Sequence, residues 1–320
     1  MVRLSRMDAH KFPIAVLTFL LAAPGYSSDV SFQWYDSSHF SRVIVNGTQG
    51  LEKYPREWFA QDKLITDFRI TDVVPSNSPA ALQKYAAIKS YIDSLGLTAG
   101  TYVSGTAVLP EDKETYWPWS AVLIEWMPAT AKYNGSWPDM PYRKLIDVTD
   151  PDTRHALHDG IKRLWQQSPA LVRFIDNAGI HRSAGNAQPW ASYCQNIEEI
   201  RKLAESMGAL AIFNISLNVG EMSDEETAEL ISAVGSGGIL LEAPWAKSIQ
   251  KNPEATERAR KRYRQLLDTG MGIIMAPPGT GPSQELVDWV STWRKPSDHI
   301  YFAGVFYKQP NPKLFGPYKG

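Results

Sequence analysis

The sequence has almost no cysteine and almost no net charge. Cys194 is the single cysteine among 320 residues, so a disulfide bond within the chain is excluded and stability must come from packing. The 33 Lys and Arg residues nearly balance the 34 Asp and Glu residues, which gives a formal net charge of -1. This balance favours neither nucleic acid nor an anionic membrane surface as a partner.

Motifs that would indicate a cofactor are also missing. The six histidines form neither His-x-His nor His-Glu-x-x-His, and we expect His155 and His158 to lie on a solvated helix face. The sequence has no Gly-x-Ser-x-Gly elbow of a serine hydrolase. Segment 277–283 imitates a phosphate-binding loop, but Pro282 stands where that loop needs its lysine. We therefore predict no metal and no cofactor.

Long hydrophobic runs are absent after the first residues of the chain. Basic residues precede a run over 12–23 that is apolar apart from Thr18, and small and polar residues follow over 24–28. This order is typical of a secretory signal peptide, with an uncleaved anchor as the alternative. We expect residues 1–28 to be the leader of a secreted or periplasmic protein that leaves the membrane after cleavage. Secretion without a disulfide fits a bacterial periplasm or exterior.

Short apolar runs alternate with longer polar segments in the rest of the chain. We assign eight strands to these runs: Val30–Tyr35, Leu64–Ile70, Leu97–Val103, Leu171–Ile175, Leu210–Leu217, Gly238–Leu241, Gly272–Met275 and Ile300–Phe306. Such alternation favours βα units and a parallel sheet. The sequence therefore predicts an α/β fold, a (β/α)8 TIM-type barrel formed as one domain by residues 29–320. A doubly wound open sheet is the alternative.

Helix signals lie between the predicted strands. The assigned helices are Ala80–Leu95, Asp152–Gln167, Asn196–Met207, Thr227–Val234, Glu254–Thr269 and Ser283–Trp293. Ser223 and Glu226 stand at the spacing of a capping box, which predicts a helix start at that point.

A long excursion over residues 104–150 separates the third and fourth predicted strands. It holds seven Trp or Tyr residues and five prolines. In a barrel it leaves the carboxyl ends of the strands, where active sites form. Because flat aromatic faces can stack on sugar rings, we predict that Trp117, Trp119 and Trp126 bind carbohydrate. The alternative is that the aromatic residues form a small core beneath the loop.

Polar side chains stand where several predicted strands end. A carboxylate that follows a buried apolar run is costly unless it is paired or functional. In a barrel these positions meet at one mouth. Apart from the two carboxylates considered next, the residues expected to contact substrate there are Asp36, Asp67, Arg69, Asn177, Asn214, Asn218 and Trp245.

Asp176 and Glu242 are the candidate catalytic pair. Each follows a short apolar strand, and the two strands are two apart in the predicted barrel. Two carboxyl groups suffice for glycoside hydrolysis, because one protonates the leaving oxygen and the other attacks the anomeric carbon or activates water. In a retaining mechanism Asp176 would be the nucleophile and Glu242 the acid/base. The alternative is that either acid forms an ion pair with Arg173, Arg69 or Lys308 inside the barrel.

The two acidic segments resemble a known group of enzymes. Residues 174–177 (Phe-Ile-Asp-Asn) and 240–242 (Leu-Leu-Glu) are similar to the strand-4 Asp and strand-6 Glu of the endo-galactosaminidase-like families, which cut cationic exopolysaccharides. The resemblance covers most of the mature chain as strand order only, and the aromatic excursion has no counterpart in it. It implies a (β/α)8 barrel, an endo-acting hydrolase and an extracellular polysaccharide substrate.

Three functions are compatible with these features. The first is a metal-independent glycoside hydrolase that uses Asp176 and Glu242. The second is a non-catalytic carbohydrate-binding barrel in which the same acids are structural. The third is a lyase or isomerase on the same barrel, because the fold does not fix the chemistry. The sugar, the linkage, the stereochemical outcome and the oligomeric state stay open.

Overall fold

The structure is a computed structural model, and it describes a large part of the chain. The described residues are 41–45, 62–66, 86, 87, 90, 94, 98–111, 121–137, 140–179, 188–215, 219–241, 247–275 and 284–305. All of them belong to the unit Ser31–Gly320. No helix among the described residues is long and apolar enough to cross a membrane.

Eight parallel strands form the central sheet. They are β1 (Ser41–Val45), β2 (Asp62–Thr66), β3 (Thr98–Ser104), β8 (Val172–Asp176), β9 (Leu210–Asn214), β10 (Gly238–Leu241), β11 (Gly272–Met275) and β12 (Ile300–Val305). The order around the sheet is β1-β12-β11-β10-β9-β8-β3-β2, and β1 pairs with both β12 and β2, so the sheet closes into a barrel. The predicted α/β class with a parallel sheet is confirmed.

The sequence-based assignment of the first barrel strand is wrong. Ser41–Val45 occupies the position that we assigned to Val30–Tyr35, and residues 30–35 lie outside the described part of the chain. Residues 43–45 are Val-Ile-Val, three consecutive β-branched side chains of the kind that fit a strand best. Asp36 therefore precedes the first barrel strand instead of following it, and the positional reason for placing Asp36 at the mouth is lost.

Six described helices accompany the strands. They are α1 (Pro151–Gln167), α2 (Trp190–Ser206), α3 (Asp224–Val234), α4 (Lys247–Gln250), α5 (Pro253–Leu267) and α6 (Gln284–Ser291). The predicted capping box is present, because the Ser223 side chain accepts from the Glu226 backbone N–H and the Glu226 carboxylate accepts from the Ser223 N–H. Helix α2 begins at Trp190, before the predicted Asn196, and the carbonyl oxygen of its N-cap residue Pro189 accepts from the backbone N–H of Ser192 at 3.0 Å.

The excursion after β3 contains a second, smaller sheet. Its strands are β4 (Ala107–Leu109), β5 (Val122–Leu123), β6 (Tyr133–Trp137) and β7 (Met140–Ile146), in the order β5-β4-β7-β6. β4 runs parallel to β5 and antiparallel to β7, and β6 and β7 form an antiparallel pair. The chain then returns to the barrel through α1 and β8. The excursion is thus partly a folded layer instead of a loop.

The barrel strands bury both of their faces. One set of side chains packs with helix residues such as Ile161 and Ile197 in a single hydrophobic cluster: Val103, Ile175, Phe213, Ile239, Leu241, Ile273 and Met275. The alternate set is equally buried: Tyr102, Phe174, Ile212, Leu240 and Ile274. Successive side chains of a strand point to opposite faces, so the second set lines the barrel interior.

The prediction of a solvated histidine face is half wrong. His155 is exposed, but the side chain of His158 is only 12% exposed. Its Nε2 lies 2.9 Å from Oδ1 of Asn196 on α2, and its Nδ1 lies 3.5 Å from Oε2 of Glu199. Burial lowers the pKa of His158, so the ring is neutral at pH 7. Helical spacing alone could not show that α2 packs over this turn of α1.

Gly160 lies at a close contact between α1 and the small sheet. A Cβ atom at this position would lie 2.4 Å from Cγ1 and 2.8 Å from Cγ2 of Val122 on β5. We expect Gly160→Ala to lower the free energy of unfolding by about 1–3 kcal/mol, because overpacking outweighs the gain in helix propensity of about 1 kcal/mol. Urea unfolding of both proteins measures the difference.

The control adds Val122→Ala to Gly160→Ala. The smaller residue gives the new methyl group room, so the double variant should lose less stability than the sum of the two single variants. A Gly160→Ala protein at least as stable as the original would contradict the packing.

Candidate functional site

Three neighbouring strands end in polar residues on the interior face of the barrel. Ser104 ends β3 and is the register partner of Asp176, which ends β8. Asn214 ends β9, whose preceding residue Phe213 is the partner of Ile175. Residues in register on parallel strands project to the same side. The row Ser104, Asp176 and Asn214 therefore continues the lining of the barrel at the carboxyl ends of its strands.

Asp176 is a buried carboxylate with a donor on each side. Its residue is only 8% exposed. Oδ1 accepts from Nδ2 of Asn214 at 2.7 Å and from the backbone N–H of Asn177 at 2.9 Å. Oδ2 accepts from the hydroxyl of Tyr102. Hydrogen bonds donated to both of its oxygens hold the carboxyl group in one orientation.

Asn177 has an unusual backbone and a buried amide. Its φ is 53°, in the left-handed region where side chains other than glycine are uncommon. Its carbonyl oxygen accepts from Oγ1 of Thr106 at 2.6 Å, which helps to hold this conformation. The residue is 6% exposed, and among the residues that the structure describes its Nδ2 has no hydrogen-bond partner. A buried donor without a partner is costly, and residues held in uncommon backbone conformations cluster at functional sites.

The backbone around Asp176 is tied to the helices behind it. The N–H of Gly105 donates to the carbonyl oxygen of Asp176 at 2.7 Å. The carbonyl oxygen of Gly105 accepts from Nδ2 of Asn196, a fully buried residue of α2, at 3.0 Å. Asn196 in turn contacts His158 on α1. The loop after β3 is therefore joined by hydrogen bonds to α2 directly and to α1 through Asn196.

The ion pair between Asp176 and Arg173, which was the alternative to a catalytic role, does not form. Arg173 projects to the helix side of β8, where Nη1 donates to Oγ1 of Thr101 at 2.7 Å and to the carbonyl oxygen of Ser168 at 2.6 Å. Its guanidinium Cζ also lies 5.1 Å from the centre of the Trp165 ring. The other two predicted partners of the acids, Arg69 and Lys308, lie outside the described residues.

The described site residues divide into two places. Asp176, Asn177 and Asn214 are brought together as predicted. Trp126 lies elsewhere, against the hydrophobic cluster and under Arg163 of α1, whose Cζ is 4.1 Å from the ring centre. The remaining predicted site residues lie outside the described part of the chain: Asp36, Asp67, Arg69, Trp117, Trp119, Asn218, Glu242 and Trp245.

Three residues of the site escaped the sequence analysis: Ser104, Tyr102 and Arg143. Ser104 had the same kind of signal as Asp176, because it is a polar residue at the end of an apolar strand. Tyr102 had a usable signal, because it stands two positions before the end of β3, on the same face as Ser104. Arg143 had none. It belongs to β7 of the small sheet, and only the fold brings its Nη2 to 3.2 Å from Oγ of Ser104.

The described residues give little support to a cysteine nucleophile or a metal centre. Cys194 is buried, and burial raises the pKa of its thiol to about 12, so it is protonated at neutral pH. Among the described side chains, no group of three or more His, Cys, Asp or Glu residues is placed to hold a metal ion. The chemical feature of the described site is therefore its oriented carboxylate.

The hydrogen bond from Asn214 to Asp176 should stabilise the folded protein measurably. We expect Asn214→Leu, which keeps a similar volume, to lower the free energy of unfolding by about 1–3 kcal/mol, because Asp176 loses a buried donor. The same change in an Asp176→Asn background should cost less, with a coupling of at least about 0.5 kcal/mol between the two sites. Urea unfolding at pH 7 of the original protein, the two single variants and the double variant gives the four free energies of unfolding. Strictly additive effects would show that this contact contributes nothing.

Comparisons with known proteins give a likeness of fold. No protein-family model matches the chain, and no curated protein matches it by sequence. The solved structure of Ega3 from Aspergillus fumigatus in complex with galactosamine is 9% identical with a TM-score of 0.50, over 86% of this chain and 94% of that chain.

Two further solved structures have lower scores. A family 20 exo-β-N-acetylglucosaminidase from Vibrio harveyi, in complex with N-acetylglucosamine, is 10% identical with a TM-score of 0.45, over 75% of this chain and 42% of its own. A noncanonic maltogenic α-amylase from Thermotoga neapolitana is 9% identical with a TM-score of 0.45, over 73% of this chain and 58% of its own. At 9% identity, the comparison with Ega3 shows a similarity of fold.

Proposed function

We propose that the protein is a glycoside hydrolase that cleaves an oligo- or polysaccharide with the acid pair Asp176 and Glu242. The observation that carries the proposal is the setting of Asp176. It is a buried carboxylate at the carboxyl end of a barrel strand, with three hydrogen-bond donors that hold its orientation. In barrels of this class the catalytic groups stand at that end.

The partner acid is inferred from the alternation of β10. Leu240 lines the barrel interior and is the register partner of Asn214, the residue that donates to Asp176. Glu242 comes two positions later in the sequence and so has the parity of Leu240. A strand that continues its alternation would direct Glu242 toward the same mouth. This supports, at the level of strand pattern, the pairing of the two acids.

The environment of Asp176 suits it to the role of nucleophile or base. Its carboxyl group is oriented by three donors, and as a carboxylate it can attack the anomeric carbon or activate water. Glu242 would then protonate the glycosidic oxygen as its bond to the anomeric carbon breaks. In a retaining mechanism, water then attacks that carbon, the ester bond to Asp176 breaks, and Glu242 takes the proton of the water. In an inverting mechanism, water attacks that carbon directly and Asp176 takes the proton. Carboxyl groups about 5–5.5 Å apart would give retention, and a separation of about 6.5–9.5 Å inversion.

The substrate class follows from resemblance and charge. The resemblance to endo-galactosaminidase-like families and the galactosamine complex of the similar Ega3 structure both favour a polysaccharide that contains amino sugars. A fixed carboxylate can attract an ammonium group. We propose that the amides of Asn177 and Asn214 contact sugar hydroxyls. The further contacts we propose are Asp67, Arg69, Trp117, Trp119, Asn218 and Trp245. We also propose that residues 1–28 direct secretion.

The binding-protein alternative is supported by one observation. The three hydrogen bonds that orient Asp176 for catalysis would equally satisfy a purely structural carboxylate in a barrel rim. In that case the protein would bind glycan without cleaving it, and substitution of Asp176 would alter stability only.

Paired substitutions distinguish the two functions. We expect reducing-end release from a panel of exopolysaccharides, including galactosamine polymers, to fall at least ~10³-fold in both Asp176→Asn and Glu242→Gln, because each removes a group that is central to the transition state. Glu225→Gln, at an exposed position in the first turn of α3, is the matched control and should retain full activity. Circular dichroism checks that all variants fold.

Each remaining outcome is informative. Activity that survives both substitutions would refute the site. Glycan binding without cleavage by the unaltered protein would establish the carbohydrate-binding alternative.

A further inference from the structure

Asn177 carries a buried amide that the described fold does not use. The residue is 6% exposed, and no described residue accepts from its Nδ2. Gln188 is a buried amide of the usual kind, because its Nε2 donates to the carbonyl oxygen of Ile146 at 3.0 Å and its Oε1 accepts from the N–H of Val148 at 2.7 Å. A buried donor without an acceptor lowers stability, so the Asn177 amide is suited to an acceptor that arrives with a ligand.

The backbone of Asn177 is held independently of this amide. Its N–H donates to Oδ1 of Asp176 at 2.9 Å, and its carbonyl oxygen accepts from Oγ1 of Thr106 at 2.6 Å. Its φ of 53° is a conformation that glycine adopts without steric cost and that few other residues tolerate. Glycine would therefore fit this backbone, and the fold itself gives no reason for an amide at this position.

The position and the chemistry of the amide define its ligand. Asn177 directly follows Asp176 at the carboxyl end of β8, the end of a barrel at which substrates bind. The neighbouring amide, Asn214, already donates from Nδ2 to Oδ1 of Asp176 at 2.7 Å. The NH₂ group of an amide can only donate, so its partner must be an acceptor. A sugar hydroxyl or an acetamido carbonyl can accept, whereas the ammonium group of an amino sugar cannot.

We propose that Asn177 is a specificity-determining residue whose Nδ2 donates to an uncharged oxygen of the sugar bound beside Asp176. The proposal rests on the proposed function and divides the work of the two amides, with Asn214 orienting the acid and Asn177 recognising the sugar. An ammonium group of the substrate must then lie elsewhere in the site. Hydrogen bonds to the sugar that strengthen in the transition state of glycoside hydrolysis increase its rate, so loss of this donor should lower kcat/KM.

Two substitutions separate the donor from the backbone conformation. Asn177→Gly removes the amide and suits the positive φ, whereas Asn177→Asp keeps the shape, tolerates this φ and lacks the N–H donor. We expect both to lower kcat/KM by about tenfold or more on the exopolysaccharide that the unaltered protein cleaves. The urea midpoint of Asn177→Gly should stay the same or rise, because the buried donor and the backbone strain are both removed.

Gln188→Met is the matched control at a buried amide that has both partners. It should lower the urea midpoint, because the backbone groups of Ile146 and Val148 lose their partners, and leave kcat/KM of the folded protein unchanged. An unmoved kcat/KM in either Asn177 variant would overturn the proposal. A fall of kcat/KM in Asn177→Gly together with a fall of its urea midpoint would indicate a structural role and would also overturn it.

Binding measurements separate this proposal from the proposed function. If the unaltered protein cleaves no glycan, the hydrolase function fails, and calorimetric titration with galactosamine and N-acetylgalactosamine oligosaccharides replaces the kinetics. Asn177→Gly should then weaken binding by about tenfold or more. A larger loss with the acetylated oligosaccharide would identify the acetamido carbonyl as the acceptor, and an equal loss with both would identify a hydroxyl. Equal affinities of the two proteins, or binding by neither, would refute the assignment.

Discussion

The hydrogen bonds that Asp176 accepts are the constraint on which the mouth of the barrel depends. A buried carboxylate must be satisfied, and its donors come from three adjacent strands, through Tyr102 on β3, the backbone after β8 and Asn214 on β9. A one-residue slip of either neighbouring strand would turn its donor to the helix side. The same register that buries the apolar residues in two layers therefore also fixes the geometry of the acid.

The support behind this row comes from helices and from the inserted sheet. Asn196 on α2 holds the carbonyl oxygen of Gly105, whose N–H holds the backbone of Asp176. On the far side, the N–H of Ala178 donates to the carbonyl oxygen of Asn214 at 2.9 Å, and Gly179 approaches so closely that a Cβ would lie 2.4 Å from the oxygen of Ile215. A site built on such rigid elements is preorganised, which is what electrostatic stabilisation of a transition state requires.

The sequence was informative wherever a local pattern and the final fold agree. Seven of the eight barrel strands overlap their predicted runs, because a fully buried parallel strand is a short apolar run bounded by turns. Asp176 could be identified from one strand alone, as a charge at the end of an apolar run. Arg143 could not, because its place in the site depends on a non-local contact between β7 and β3. His158 was misjudged for the same reason, since the partner that buries it lies on another helix.

Closure of the barrel joins the two ends of the described chain. Ser41 on β1 is paired with Tyr301 on β12, and the pairing of β3 with β8 spans the whole inserted sheet. Contacts of such large sequence separation make folding slow, because loop closure must precede the gain from pairing. β12 must also be synthesised before β1, which pairs with β2 on one side, can pair on its other side. The barrel therefore closes only after β12 has been synthesised, and a chain that stops before β12 would expose unpaired strand edges that favour aggregation.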